Sequence, residues 1–198
     1  MNWMDGTDAV AVEQALAGDR DAFRALVERH SRTIFRLAHR MTGNEHDAEE
    51  VVQETFLRAY KRLDKFESRS NFGTWVYRIA VNCSLDLMRV RKRDEQHRHH
   101  EQPDMEEPGL ETVQQVASEA PSPERIALSG EMGARVNKAL SELSEMERAA
   151  FVMRHCEGLS IEEIGAALGL RTSATKNSIF RAVQKLRAAL EPLVGTTR

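Results

Sequence analysis

The sequence has few of the residues that interrupt helices. It contains 11 glycines and 5 prolines in 198 residues, and most of the prolines lie between residues 103 and 123. Alternation of β-branched with polar residues is also scarce, whereas Ala, Leu, Glu and Arg are abundant, which favours helix over strand. The sequence therefore predicts an all-α protein.

Cysteine and long apolar runs are scarce as well. The two cysteines, Cys83 and Cys156, lie far apart within apolar helical patterns, so no disulfide framework is expected and a reducing compartment is favoured. Residues 1–8 carry acids but no Lys or Arg, and no apolar run has the length of a membrane span. We expect a cytoplasmic protein without membrane insertion.

Groups arranged for catalysis are missing too. Neither a nucleophile–base set nor a phosphate-binding glycine loop occurs. His97, His99 and His100 stand together in a charged stretch, but no cysteine or acid accompanies them at the spacing of a zinc site. We therefore expect no enzymatic activity, no metal and no cofactor.

The charge of the chain is unevenly distributed. The formal net charge is -3, yet residues 89–93 and 171–187 are basic, and the stretch between them is acidic. That acidic stretch contains several prolines and few large apolar residues, so it is typical of a flexible linker. The sequence predicts two small helical domains, residues 9–93 and 123–192, joined by a flexible acidic linker over residues 94–122.

Helical periodicity is clear in the first domain. Short helices are predicted over Ala9–Ala17 and Asp21–His30, with the pattern continuing to Met41 and ending at Gly43-Asn44. The strongest helix covers Asp47–Leu63, with Asp47 and Glu50 interpreted as its capping box. Its apolar stripe is Val52, Phe56, Ala59 and Leu63, and a further helix over Phe72–Arg91 has Val76, Ile79, Ala80, Cys83 and Leu87.

The second domain contains a helix-turn-helix pattern. Ser160 and Glu163 form a capping box for a short helix that Gly169 ends, with Ile164, Ala167 and Leu168 facing inward. After a turn over Leu170–Thr172, the next helix buries Ile179, Val183, Leu186 and Leu190. This arrangement is typical of DNA-reading domains, although an ordinary helical hairpin with a solvated basic face has the same pattern.

The second of these helices predicts a DNA-facing surface. With Ile179 toward the core, Asn177, Ser178, Arg181, Gln184 and Lys185 fall on the opposite face. Ser173 and Ala174 lie at its N-terminal end, which normally enters the major groove. Arg171, Arg181 and Lys185 suit phosphates, and Asn177 and Ser178 suit base edges.

A second nucleic-acid surface is predicted on the helix after Phe72. Arg78, Asn82, Asp86 and Arg89 share one narrow sector beside Trp75. Phe66, Phe72, Trp75 and Tyr77 cluster next to the polar loop of residues 67–71, a mixture that suits single-stranded DNA. The alternative is that these aromatics are core. We favour core for Phe66 and Phe72, and both roles stay open for Trp75.

Three segments of the sequence resemble a known family. They read DAEEVVQETFLRAYKRLDKF from Asp47, FGTWVYRIAVNCSLDLMR from Phe72 and LSIEEIGAALGL from Leu159. In this order they are similar to regions 2 and 4 of the extracytoplasmic-function sigma factors, and the resemblance covers most of the chain outside the linker.

The resemblance implies partners and roles for residues. It implies binding to core RNA polymerase through its clamp coiled coil and its flap, and to promoter DNA. The clamp coiled coil would contact Asp47, Glu50, Gln53, Glu54 and Arg58. The −10 element would contact Arg69, Asn71, Trp75, Arg78, Asn82, Asp86 and Arg89. The −35 element would contact Arg171, Ser173, Ala174, Asn177, Ser178, Arg181 and Lys185.

The resemblance also implies regulation. Members of the family direct transcription in response to envelope or environmental stress and are held by an anti-sigma protein. Where members often carry Gly-Thr at the start of the recognition helix and an Arg further along, this chain has Ser173-Ala174 and Ser178. The bases that are read therefore stay open. The alternative function is a helix-turn-helix regulator that acts without the polymerase core.

Overall fold

The computed structural model describes residues 6–66, 71–101, 133 and 135–194, and all regular elements among them are helices. The N-terminal half (residues 6–101) contains α1 Gly6–Leu16, α2 Arg20–Thr42, α3 Glu45–Lys61, a 3-10 turn Leu63–Lys65 and α4 Phe72–Glu101. The C-terminal half contains α5 over residues 135–141, α6 Glu145–Phe151, α7 Ile161–Leu168 and α8 Thr172–Val194. The predicted all-α architecture is confirmed.

The helices of the N-terminal half begin and end at polar caps. Asp19 caps α2, because its side chain accepts from the backbone N–H groups of Asp21 and Ala22. The side chain of Asn44 caps α3 by accepting from the N–H of Asp47 at 2.8 Å. The prediction that Asp47 and Glu50 form the capping box was therefore wrong, since α3 begins before Asp47.

α4 is longer than the sequence predicts. It runs ten residues beyond the expected end at Arg91, so the first part of the predicted linker, residues 94–101, is helical. The basic run that ends the expected helix does not stop it, because Lys and Arg are good helix formers. The rest of the predicted linker, and residues 123–132 of the predicted second domain, lie outside the described residues.

The core of the N-terminal half lies where α2, α3 and α4 meet. Its largest fully buried side chains include Leu26, Ile34, Leu37, Met41 and Val76. The predicted stripe of α4 is confirmed, with Val76, Ala80 and Cys83 buried and Ile79 and Leu87 half-buried.

The two halves also pack against each other, which the sequence does not predict. Ala149, Ala150, Val152, Met153 and Ile164 belong to the same apolar cluster as the core of α2 and α4. After α6 the chain continues through a wide π-helical turn, Val152–Cys156, that contacts α2. α4 is therefore covered by α2 and α3 on one side and by α6 and α7 on another.

Substitution of the cap of α3 tests this account of the fold. We expect Asn44→Ala to lower the free energy of unfolding by about 1 kcal/mol, because the N–H of Asp47 loses its acceptor. Urea unfolding followed by circular dichroism measures the change. His46→Ala, an exposed change in the same turn, is the control. Equal midpoints for the two variants would contradict the assigned cap.

Candidate nucleic-acid interface

The outward face of α4 carries the predicted polar sector. Arg78, Asn82, Asp86 and Arg89 are all exposed, while Val76, Ala80 and Cys83 on the opposite side are buried. The sector exists because steps of four, eight and eleven residues nearly repeat the turn of a helix. This face therefore offers two guanidinium groups, an amide and a carboxylate to solvent.

Ion pairs connect this face to α3. Arg58 donates from Nη1 to Asp86 at 3.1 Å and from Nε to Glu54 at 2.5 Å, and Arg89 lies 3.5 Å from the other oxygen of Asp86. The hydrogen bond to Glu54 is the main reason that the pKa of Arg58 is raised. Each of these side chains is at least a third exposed, so each pair contributes at most about 1 kcal/mol. An anionic ligand therefore needs little free energy to displace the carboxylates from these arginines.

The aromatic residues divide between core and surface. Phe72 is 2% exposed and is core, as favoured from the sequence, whereas Phe66 and Trp75 are half-buried. The Trp75 ring centroid lies 5.2 Å from that of Phe66 and 5.7 Å from that of Phe72. Tyr77 is buried, and burial raises the pKa of its hydroxyl. Trp75 therefore packs on two other aromatic rings at the edge of the polar face.

The loop before α4 is described only at its end. Arg69 lies outside the described residues, together with residues 67, 68 and 70. Asn71 is half-buried, and its side-chain oxygen accepts from the N–H of Gly73 at 2.8 Å. Asn71 is therefore engaged in capping the first turn of α4.

The helix-turn-helix forms as the sequence predicts. The Ser160 hydroxyl accepts from the N–H of Glu163, and the Glu163 carboxylate accepts from the N–H of Ser160 at 2.8 Å. These bonds lower the pKa of Glu163. Gly169 ends α7 with φ 66, the left-handed conformation that glycine adopts without strain.

Close approach of α7 and α8 depends on a second glycine. A Cβ at Gly165 would lie 2.9 Å from the carbonyl oxygen of Leu170 and 3.2 Å from the Thr175 hydroxyl. Any larger residue would therefore push α8 away from α7. This contact therefore sets how closely α8 packs against α7.

The buried side of α8 differs in part from the predicted stripe. Thr175 and Ala182 are fully buried and Leu186 is 7% exposed, whereas Ile179, Val183 and Leu190 are half-buried. The hydroxyl of Thr175 donates to the carbonyl of Arg171 at 3.2 Å, which allows a polar residue at this buried position. The stripe therefore centres on two small residues that hydropathy alone does not identify.

The predicted DNA-facing residues lie on the remaining surface of α8. Arg171, Ser173, Asn177, Arg181 and Lys185 are exposed, and Ala174 and Ser178 are half-buried. Lys185 is engaged within the protein, because its ammonium lies 2.7 Å from Glu147. Burial acts to raise the pKa of Glu147, but the hydrogen bonds from Lys185 and Ser144 outweigh it and the pKa is lowered.

One further residue on this surface is missed by the sequence reasoning. Phe180 is 63% exposed, although phenylalanine is ordinarily buried. It follows Asn177 by three residues, so both fall on the same side of α8. The available signal is that spacing: an aromatic at a polar-face position of an otherwise amphipathic helix.

The predicted polymerase-binding residues of α3 differ in their exposure. Glu50 and Gln53 are exposed, and Glu54 and Arg58 are half-buried. Asp47 is 2% exposed, forms an ion pair with Arg91 and accepts from the side-chain amide of Asn44 at 2.9 Å. Asp47 therefore faces inward and joins α3 to α4.

An exposed apolar patch on α3 is also missed by the sequence reasoning. Leu57 is 48% exposed and Tyr60 51% exposed, and the Tyr60 ring meets Phe23 of α2 edge-on at 4.9 Å between centroids. Exposed apolar side chains surrounded by charged ones are typical of protein–protein contact sites. We call Phe23, Leu57 and Tyr60 the α3 patch.

Two kinds of site are not found in the described part of the chain. None of its helices has the length and hydropathy needed to cross a bilayer. Within the same residues, no three His, Cys, Asp or Glu side chains are grouped to hold a metal ion. The side chains of His97, His99 and His100 lie outside this description.

Comparisons with known proteins agree on one family. Residues 26–94 match Sigma-70 region 2, and residues 134–186 match Sigma-70, region 4. The chain is 34% identical over 182 residues to the ECF RNA polymerase sigma factor SigW of Bacillus subtilis, covering 92% of this chain and 96% of SigW. It is 34% identical over 190 residues to the ECF RNA polymerase sigma-E factor of Escherichia coli K12, covering 95% and 96%.

Solved structures show the same likeness. The structure of CnrH in complex with the cytosolic domain of CnrY superposes with a TM-score of 0.63 at 28% identity. The match covers 94% of this chain and 99% of the matched chain.

An experiment can distinguish the structural role of Asp47 from the exposed position of Glu50. We expect Asp47→Ala to lower the free energy of unfolding by about 1–3 kcal/mol, because it leaves Arg91 and Asn44 without their buried partner. Glu50→Ala, on the exposed face of the same helix, should change it by less than about 0.5 kcal/mol. Urea unfolding measures both. An equal loss for the two variants would show that Asp47 is not a structural residue.

Proposed function

The chain belongs to the extracytoplasmic-function sigma factors, which bind core RNA polymerase to start transcription, and on this premise we propose a role for each exposed surface. The outward face of α4 reads the −10 element, the free face of α8 reads the −35 element, and the α3 patch with its charged rim docks on polymerase. The observation that carries the proposal is the presence of two separate polar helix faces and an apolar patch on one chain.

Recognition at the −10 element rests on the chemistry of α4. Arg78 and Arg89 supply positive charge for phosphates, and the Asn82 amide suits a base edge. Trp75, half-buried on Phe66 and Phe72, offers a ring on which an unpaired base can stack. Asp86 forms ion pairs with Arg89 and with Arg58 of α3, and Asn71 fixes the start of the helix. Arg69 belongs to the same proposed site.

Recognition at the −35 element rests on α8. Its N-terminal end presents Arg171, Ser173 and Ala174 to the major groove, with Asn177 and Ser178 one turn further. Phe180 adds an exposed ring suited to contact with a thymine methyl group. Arg181 and Lys185 then bind phosphates, and Lys185 must exchange its carboxylate partner, Glu147, to do so.

Docking on polymerase rests on α3. Glu50, Gln53, Glu54 and Arg58 surround the α3 patch with polar groups, as the rim of a protein interface does. We assign this surface to the clamp coiled coil of polymerase and a further contact of the C-terminal half to its flap. Asp47 contributes by holding α3 on α4 through Arg91.

A protein inhibitor is the remaining partner. The similar chain CnrH was solved in complex with the cytosolic domain of CnrY, which supports a protein partner of this kind. An anti-sigma protein that masks the α3 patch would block docking, and an envelope or environmental stress would release it.

Reconstituted transcription tests the function directly. The promoter is defined by mapping transcript 5′ ends after overexpression, and the purified chain is then added to core polymerase on that linear promoter. We expect transcripts that start at the mapped position. Tight binding of duplex DNA by the chain alone, with no effect on core polymerase, would instead support a regulator that acts without polymerase.

The docking surface is tested by Leu57→Ala. We expect the dissociation constant for core polymerase to rise about tenfold, because truncating an apolar interface anchor costs roughly 1–2 kcal/mol. Fluorescence anisotropy with a labelled chain measures the constant. Val10→Ala, also exposed and apolar but on α1, is the matched control. Equal dissociation constants for the variant and the control would show that the α3 patch is not part of the interface.

The α8 surface is tested in the holoenzyme. We expect Arg181→Ala to weaken binding to all promoters alike and to lower the slope of log affinity against log salt by about one. Asn177→Ala should instead cost about 1–3 kcal/mol at a single base pair. Binding to a set of single-base promoter variants at several salt concentrations measures both. Arg24→Ala, exposed on α2, is the control.

A further inference from the structure

A buried hydrogen-bonded pair joins α1 to α2 next to the aromatic rings at the start of α4. Asp8 lies in the first turn of α1 and is 4% exposed, and His30 of α2 is 7% exposed. The Nε2 atom of His30 lies 2.8 Å from one carboxylate oxygen of Asp8, and the other oxygen accepts from Arg29. Because an ionised carboxylate can only accept, His30 donates to Asp8 from Nε2.

The imidazole of His30 contacts the aromatic residues of the proposed −10 site. Its centroid lies 5.5 Å from that of Phe72, which is 2% exposed and begins α4. The Phe72 ring in turn lies 5.9 Å from Phe66 and 5.7 Å from Trp75 between centroids. We call Phe66, Phe72 and Trp75 the aromatic cluster. Asp8 of α1 is therefore connected to Trp75 of α4 through the two rings that lie between them.

The hydrogen bond gives the His30 ring an orientation that apolar packing alone does not give. A buried carboxylate and its partner often stabilise a fold no more than apolar side chains of the same volume would, because both groups lose their hydration. A hydrogen bond has a preferred direction, however, whereas the hydrophobic effect has none. The Asp8 carboxylate therefore restricts rotation of the His30 ring, and this ring restricts Phe72.

A fixed ring is an advantage at a site where a base stacks. Trp75 is half-buried, so part of its indole is open to a ligand while the rest packs on Phe66 and Phe72. Binding to a side chain that is already held in place loses less conformational entropy than binding to a mobile one. The affinity for a stacked base therefore depends on how firmly the aromatic cluster is held.

We propose that Asp8 and His30 are positioning residues of the −10 site, which hold the aromatic cluster in the arrangement on which an unpaired base stacks. The proposal rests on the proposed function, because it requires a base to stack on Trp75. A base that stacks on the protein has left the duplex, so this capture favours promoter opening. The first helix, α1, then acts in promoter opening through the single hydrogen bond between Asp8 and His30.

A double-mutant cycle between protein and DNA tests the positioning role. Holoenzyme made from the full chain and core polymerase is bound to a forked promoter with a duplex −35 element and an unpaired non-template −10 strand. Each base of that strand is replaced in turn by an abasic site, and competition in fluorescence anisotropy gives the dissociation constants. We expect a roughly tenfold rise for the wild type at the stacked position, which is the position whose abasic effect disappears in Trp75→Ala.

Substitutions of His30 separate its ring from its hydrogen bond. His30→Gln keeps a donor for Asp8 but loses the ring, so it should reduce the abasic effect to less than about twofold. His30→Phe keeps a ring against Phe72 but loses the hydrogen bond. It should leave an intermediate effect of about three- to fivefold.

Substitutions of Asp8 supply the conservative variant. Asp8→Asn still accepts from His30, and Arg29, whose side chain is 36% exposed, can turn to solvent, so the wild-type abasic effect should persist. Asp8→Ala removes the acceptor and should resemble His30→Phe. Asn44→Ala, which weakens the N-terminal half at the start of α3, is the control for lost stability and should keep the wild-type effect.

The motion of Trp75 provides a measurement that needs neither polymerase nor DNA. In a Trp3→Phe background Trp75 is the one tryptophan of the full chain, and time-resolved fluorescence anisotropy reports the nanosecond motion of its ring. We expect the amplitude of this motion to increase in His30→Gln and Asp8→Ala. It should stay at the wild-type level in Asp8→Asn and Asn44→Ala.

Failure of the proposed function and failure of the positioning role give different results. A wild type without an abasic effect at any position would contradict stacking on Trp75, and the positioning role with it. A normal wild-type effect that persists in His30→Gln and Asp8→Ala, with unchanged motion of Trp75, would overturn the positioning role alone. The same holds where Asp8→Asn or Asn44→Ala reduces the abasic effect as much as Asp8→Ala, because charge or general stability would then be the cause.

Discussion

The rest of the structure depends on which side of α4 packs against which neighbouring helix and which side faces solvent. Val76 and Ala80 face the core that α2 and α3 supply, and Tyr77, Val81 and Leu85 join the apolar cluster that includes side chains of α6 and α7. Between residues 76 and 89 the exposed side chains share one sector of the helix, and they are Arg78, Asn82, Asp86 and Arg89. Because a helix side chain cannot change its sector without breaking the backbone hydrogen bonds, the packing of α4 determines which groups are available to a ligand.

Local sequence patterns predicted most of the helices. They failed where a residue's role depends on a partner that is distant in the sequence. Ser160 with Glu163 and the helix stop at Gly169 could be predicted because each acts within a few residues. Asp47 was misassigned because its partner, Arg91, comes from another helix. The burial of Thr175 depends on how closely Gly165 allows α7 to approach α8, and hydropathy does not contain this distance. The contact between Arg148 and α2 joins residues 108 positions apart, beyond any local pattern.

The candidate surfaces show the same division. The polar sectors of α4 and α8 follow from helical periodicity, and their chemistry was predicted. Leu57, Tyr60 and Phe180 were missed because an apolar residue in a helix is assigned to the core by default, and only the packed structure shows that these three are exposed. The role of α3 in docking came from family resemblance, since its charges alone are those of a solvated helix.

Glu147 links two helices through one oxygen atom. Its Oε2 accepts from the N–H of Ser144, which starts α6, and also binds the ammonium of Lys185 on α8. The beginning of α6 and the middle of α8 therefore form one cooperative unit, so that local unfolding of either should expose the amides of both to exchange. A phosphate that draws Lys185 away leaves this carboxylate to the helix start alone. Binding of Lys185 to duplex DNA would in this way change the stability of the first turn of α6.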